Sequence, residues 1–144
     1  MKNGTLRKVF FYFLSFSWGL PLSLAGLLVG GFLRLSGRRP KRFGPCLCFE
    51  VGEDWGGLEF GPIFIKCRDG SERLSSHEFG HAVQNCIFGP LMPFLISIPS
   101  AIRYWIRRAG VRRGIRPKRP YSAAWFERQA DRFGERFRKP EEPR

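Results

Sequence analysis

The two histidines of this chain stand four residues apart, His77 and His81, with Glu78 between them in the stretch SSHEFGHAVQN. On a helix of 3.6 residues per turn, side chains at i and i+4 share a face, so two imidazole nitrogens can converge on one ion. This HExxH spacing suits zinc held by His77 and His81, with Glu78 placed to take a proton from the water that attacks a carbonyl. The same letters have a plainer use. Ser75 and Glu78 also spell a capping box, in which the glutamate merely satisfies a backbone N–H at the helix start. Both histidines fall in the motif and none elsewhere, which weighs toward metal.

Zinc needs a third protein ligand. The extended pattern HExxHxxGxxH is excluded because Gln84 stands where its glycine would be, so the ligand must be a carboxylate or a thiolate. The segment SAAWFERQADRFGERF, residues 122–137, offers one. An apolar stripe runs through Phe126, Ala130, Phe133 and Phe137, with Glu127 and Asp131 immediately beside it and Gly134 continuing their row. Two carboxylates at i and i+4 repel by about 0.2–0.5 kcal/mol, so a cation should offset them. On a solvated face Arg128 and Arg132 would serve. In the metal reading Glu127 is the third ligand, and Asp131 accepts a hydrogen bond from a ligating histidine and fixes its ring.

These side chains require particular elements. A metal helix is predicted over 75–88, capped by Ser75 or Ser76 and stopped at Gly89-Pro90, and a second helix over 122–138, capped by Ser122. Residues 43–67, FGPCLCFEVGEDWGGLEFGPIFIKC, read as a β hairpin of two runs joined by GEDWGG. The second run, Leu58 to Cys67, precedes the metal helix, where a sheet edge can meet an extended peptide, although a plain structural hairpin is the simpler use. Cys46 and Cys48 alternate along the first run and share a face. With Cys67 and Cys86 they read as small buried hydrophobes. A structural metal site on Cys46, Cys48 and Cys67 lacks a fourth ligand.

At 144 residues there is room for one domain, and a net charge of +13 points to an anionic partner. Val9 to Leu33 carries 25 residues without a charge, about 37 Å as a helix, enough for one bilayer crossing but not two. Pro21 suggests a kink or a segment lying in the interface. A cleaved signal peptide ending near Ser23-Leu24-Ala25 competes, but GLLVGGFL would leave a greasy new terminus, so a retained anchor is preferred. A second uncharged run, Cys86 to Ile102, contains Pro90, Pro93 and Pro99 and reads as re-entrant or interfacial. Eight Arg and Lys follow between Arg103 and Arg119, bordered by Tyr104 and Trp105. Aromatics beside cations suit an anionic membrane surface better than a nucleic-acid groove, so no nucleic acid is expected. The excess of Arg and Lys after the first apolar run tilts the C-terminal body toward the cytoplasm.

HExxH followed by ExxxD, here ERQAD, resembles the gluzincin metallopeptidases, notably their membrane-associated group. The resemblance implies zinc on His77, His81 and Glu127, with Glu78 as general base and Asp131 supporting the site. More closely, HEFGHAVQNCIFGPLMPFLISIPS followed by ERQADRFG is similar to small bacterial membrane proteins carrying HExGHxxQ, a GPL segment, an IPS segment and a late ExxAD, over residues 50–135. The chain departs from the larger peptidases. Only 46 residues separate His81 from Glu127, and with no further histidine an oxyanion would need Tyr104, Tyr121 or an arginine. The expectation is an α+β, membrane-associated protein with an N-terminal transmembrane or interfacial segment (1–42), a minimal zincin-like domain (43–138, its apolar and basic segment at 89–120) and a tail (139–144). Its expected activity is hydrolysis of a peptide or membrane-protein substrate with Zn2+; the rival is a non-catalytic membrane protein stabilised by the metal.

Overall fold

The computed structural model describes residues 2–137, so the expected tail lies outside the described residues. The fold is α+β: five helices and a four-stranded mixed sheet. In chain order these are α1 (Lys2–Phe16), α2 (Leu20–Leu35), β1 (Lys41–Phe43), β2 (Cys46–Glu50), β3 (Gly57–Phe60), β4 (Ile63–Lys66), α3 (Glu72–Phe88), α4 (Ile98–Arg112) and α5 (Trp125–Phe137).

The N-terminal apolar run is two helices rather than one. They meet at 96° around Ser17-Trp18-Gly19, and Pro21 lies in the first turn of α2, where its missing N–H costs nothing, instead of kinking a longer helix. The corner is tied to α3 by polar contacts. Trp18 Nε1 donates to the Ile87 carbonyl at 3.1 Å, and Asn85 Nδ2 donates to the Gly19 carbonyl at 3.3 Å.

The single hairpin expected across GEDWGG is replaced by another pairing. Strand order is β1-β2-β4-β3, with β2 and β4 parallel, Leu47 opposite Ile63 and Glu50 opposite Lys66. The run from Leu58 to Cys67 is itself split by a turn at Gly61-Pro62 into the antiparallel pair β3 and β4. Gly61 takes φ +67°, a left-handed backbone that suits glycine at a tight reversal. The residues of GEDWGG instead lead from β2 to the outer edge of the sheet, where β3 lies.

The sheet separates two apolar cores. On one face Cys46, Cys48 and Phe64 pack with Phe79, Ala82 and Cys86 of α3 and Phe11 of α1. On the other, Phe49 and Ile63 pack with Leu33 of α2. At about 25 cal/mol per Å2 of apolar area, each such buried phenylalanine contributes roughly 2–3 kcal/mol. All four cysteines are free and buried, as small hydrophobes would be.

Helix α3 starts three residues earlier than expected. Its N-cap is Ser71, whose side chain accepts from the Leu74 N–H, so Ser75 is not a cap and Glu78 lies in the helix interior. The capping-box reading fails on that geometry. Gly89 ends the helix, as Gly89-Pro90 predicts. The proline-rich run then breaks into a 3-10 turn (Gly89–Leu91) and a π turn (Pro93–Ser97) before α4, and the chain bends by 117°. Among the described residues no single helix is long and apolar enough to cross a membrane; two bent pairs meet the length and composition together. The C-terminal helix begins at Trp125 rather than Ser122, because Tyr121–Ala123 form a 3-10 turn and Ala124 is extended.

Candidate metal centre

Two glycines set the distance between the metal helix and α5. A Cβ on Gly80 would run into the backbone of Ala130, and one on Gly134 into the backbone of Ser76, so the two helices approach closely at both places. The close crossing carries Glu127, expected beside the apolar stripe, into complete burial against α3.

There the three proposed ligands meet. His77 Nε2 lies 3.0 Å and His81 Nε2 lies 3.3 Å from Glu127 Oε2, the two Nε2 atoms are 3.1 Å apart, and the rings stand at 89° to one another. One ligand atom from each residue falls within 4.8 Å of the others. Among the described residues this is the sole such group of three or more, and no cluster forms around Cys46, Cys48 and Cys67.

The outer nitrogens are already engaged. His77 Nδ1 is 2.8 Å from Asp131 Oδ1, and His81 Nδ1 is 2.7 Å from Gln84 Oε1. The amide of Gln84 has one orientation that satisfies its neighbours, because its Nε2 donates to the Phe126 carbonyl at 2.8 Å and to Gln129 Oε1 at 2.9 Å. Its oxygen therefore faces His81, and both histidines must donate from Nδ1. Neutral rings then turn two Nε2 lone pairs toward a carboxylate oxygen that accepts no well-aligned hydrogen bond of its own. Three electron-pair donors facing one another inside the protein need a cation between them.

Without a metal, a proton must fill that role. Burial disfavours the His77 cation, but the Asp131 and Glu127 carboxylates outweigh it and push its pKa up to about 10. Burial likewise opposes charge on Glu127, yet the two imidazoles hold its carboxyl far below the usual range. The cation that offsets the Glu127 and Asp131 pair when no metal is bound is thus His77; Arg128 and Arg132 are exposed. The donor set, two imidazoles and one carboxylate, could hold a metal ion and is of the kind that three-ligand zinc sites use.

Glu78 is buried on α3, and burial raises its pKa. Its carboxylate occupies the place a Cβ on Gly57 would take, so β3 closes directly over it. His77, Glu78 and His81 open into a cavity of about 840 Å3 between β3 and α4. Tyr104 and Tyr121 both line it.

One contact of the site, Ser100, is absent from the sequence reading, and another, Gln84, is there without a role. Ser100 donates to Glu127 Oε1 and is joined by Tyr121 at 3.0 Å, leaving Oε2 as the oxygen that faces the histidines. Gln84 enters the sequence reading as the residue that excludes a longer zinc motif and as the last letter of HExGHxxQ, though its place one turn after His81 is a signal for ring orientation. Replacing Asp131 or Gln84 with alanine is expected to weaken zinc affinity by about 10–100-fold, the usual effect of losing a partner that orients a ligand. Competition with a chromophoric chelator measures this; unchanged affinity in both variants would remove them from the site.

No protein-family model matches this chain, and no curated protein or solved structure is detectably similar to it. The resemblance to gluzincins therefore rests on the triad of His77, His81 and Glu127.

Proposed function

We propose that the chain is a membrane-surface zinc metallopeptidase of gluzincin type. The observation that carries this reading is the convergence of His77, His81 and Glu127 beside a buried glutamate at the floor of a large cavity. When bound, zinc would supply a Lewis acid that lowers the pKa of a water and polarises a carbonyl. Glu78 receives the proton of the attacking water and returns it to the leaving amine; burial raises its pKa toward the range where both transfers work. Tyr104 and Tyr121 both line the cavity, and in this reading one of them, or an arginine of the wall, donates to the developing oxyanion.

Purified protein should hold about one zinc per chain, and its cleavage of unfolded-peptide substrates should vanish on chelation and return with Zn2+. Glu127→Ala should lose the metal. Retention of full zinc by that variant, or cleavage indifferent to chelation, would sink the proposal.

Membrane attachment is supported by apolar surface that the fold leaves uncovered. Phe10, Phe13 and Leu28 on α1 and α2, and Phe94, Trp105 and Ile106 around the second bend, are each at least 60% exposed. Phe10 and Phe13 lie one turn apart on α1, and exposed apolar side chains so grouped suit a membrane-facing surface. In this reading the bent helix pairs embed in the interface, the basic segment after α4, Arg113 to Arg119, meets anionic headgroups, and the body lies on the cytoplasmic side. The protein should stay with membranes at salt high enough to screen purely ionic attachment; release by salt alone would refute embedding.

A further inference from the structure

Four arginines and four carboxylates line the cavity over the triad; Glu59 and Glu78 are buried, Asp131 is bound to His77 and Asp54 sits on the rim, so the arginines of α4 dominate its outer wall. Ser97, Ser100, Ala101, Tyr104, Arg108 and Arg112 recur at three- and four-residue spacings, so one face of α4 forms a wall from Glu127's partner Ser100 to the arginines. Arg73 and Arg107 also line it. Among the described residues, only Arg108 of the four arginines reaches a carboxylate, Asp54 at 3.6 Å on the exposed rim. Arg107 is held by the Arg119 carbonyl, which positions its charge without neutralising it.

We propose that the substrate is a peptide with acidic residues about three to five positions from the bond that is cleaved, a specificity that rests on the peptidase reading above. The spacing follows from the wall. Arg107 and Arg112 lie seven and twelve residues beyond Ser100, or about 10 and 18 Å along the helix axis. An extended peptide advances about 3.3 Å per residue, so those distances correspond to the third through fifth residues from the metal. The lining between is apolar, from Leu74, Met92, Ile96 and Val111, and the volume is within the range of peptide and ligand pockets. A flat bilayer can reach the outer arginines of α4 but cannot enter a concavity walled by β3. A peptide can follow it to the triad.

The test uses full-length, zinc-loaded Glu78→Gln protein in neutral detergent. Three fluorescein-labelled peptides of about a dozen residues share one apolar centre and carry Asp and Glu, Ser, or Lys and Arg at the fourth and fifth positions from it. The acidic peptide should bind at least about tenfold tighter than the basic one, with a steep loss at high salt. Arg107→Glu combined with Arg112→Glu should abolish that preference at unchanged zinc content, which certifies the fold and the site. Equal binding of acidic and basic peptides, or discrimination that survives the charge reversal, would overturn the proposal. So would a charge-reversed protein that loses phosphatidylglycerol vesicles while binding peptides as before, since the arginines would then serve lipid. Wild-type protein separates the two readings. Charge-selective binding without cleavage of any peptide removes the peptidase and leaves acidic-peptide docking; cleavage indifferent to charge removes the acidic specificity alone.

Discussion

Replacing Glu78 with glutamine is expected to lower peptide cleavage by about two to four orders of magnitude while zinc content stays at the wild-type level. The asymmetry follows from position. Glu78 is next to a ligand in sequence, but it is not one of the three residues whose donor atoms converge. Glutamine keeps its size and hydrogen-bonding end and loses only basicity. Glu78 is also interior to α3, with Ser71 as the cap, so the substitution leaves the helix start intact. The measurement is turnover of one peptide by both proteins at matched zinc. Equal turnover would strip Glu78 of its role, and no turnover in either would favour a metal that staples α3 to α5 without catalysis.

The second large effect is expected at Gly80. In most helix interiors, alanine in place of glycine stabilises by roughly 0.5–1 kcal/mol. Here the added Cβ meets the Ala130 carbonyl, a backbone atom that cannot swing aside. Overpacking of this kind costs about 1–3 kcal/mol, which outweighs the helical gain. Gly80→Ala should therefore lower the melting temperature by several degrees, at about 2–4 °C per kcal/mol for a chain of this size, and Gly80→Val should lower it further. Zinc affinity should fall in parallel, because Glu127 lies one turn from Ala130 and moves with it. Calorimetry of both variants checks the sign; a rise in melting temperature for Gly80→Ala would mean that the helices do not cross as closely as this.

The histidine pair and the Glu127 and Asp131 pair were legible because their geometry is local. Spacings of four residues in HEFGH and in ERQAD place side chains on a helix face without reference to the rest of the chain. Joining those two faces required a reason for Glu127 to be buried, and the charge argument supplied one: paired carboxylates need a cation. The sheet was less readable. Nothing in GEDWGG distinguishes a hairpin turn from a link to the far edge, and the parallel match of Leu47 with Ile63 is a long-range choice made by both cores at once. Hydropathy likewise runs unbroken through Ser17, Trp18 and Gly19, so the corner between α1 and α2 is invisible to it. What fixes that corner is contact with Asn85 and Ile87, some 65 residues away.

The burial of Glu127 between α3 and α5 also has a bearing on the order of synthesis. His77 and His81 are made, and leave the ribosome, at least 46 positions ahead of Glu127, and at about 5–20 residues per second the chain carries an incomplete ligand set for several seconds. During that interval a histidine pair without its carboxylate holds zinc poorly. On the proposed function, a nascent or prematurely terminated chain therefore cannot assemble the centre, and hydrolytic capacity is withheld until translation has passed α5.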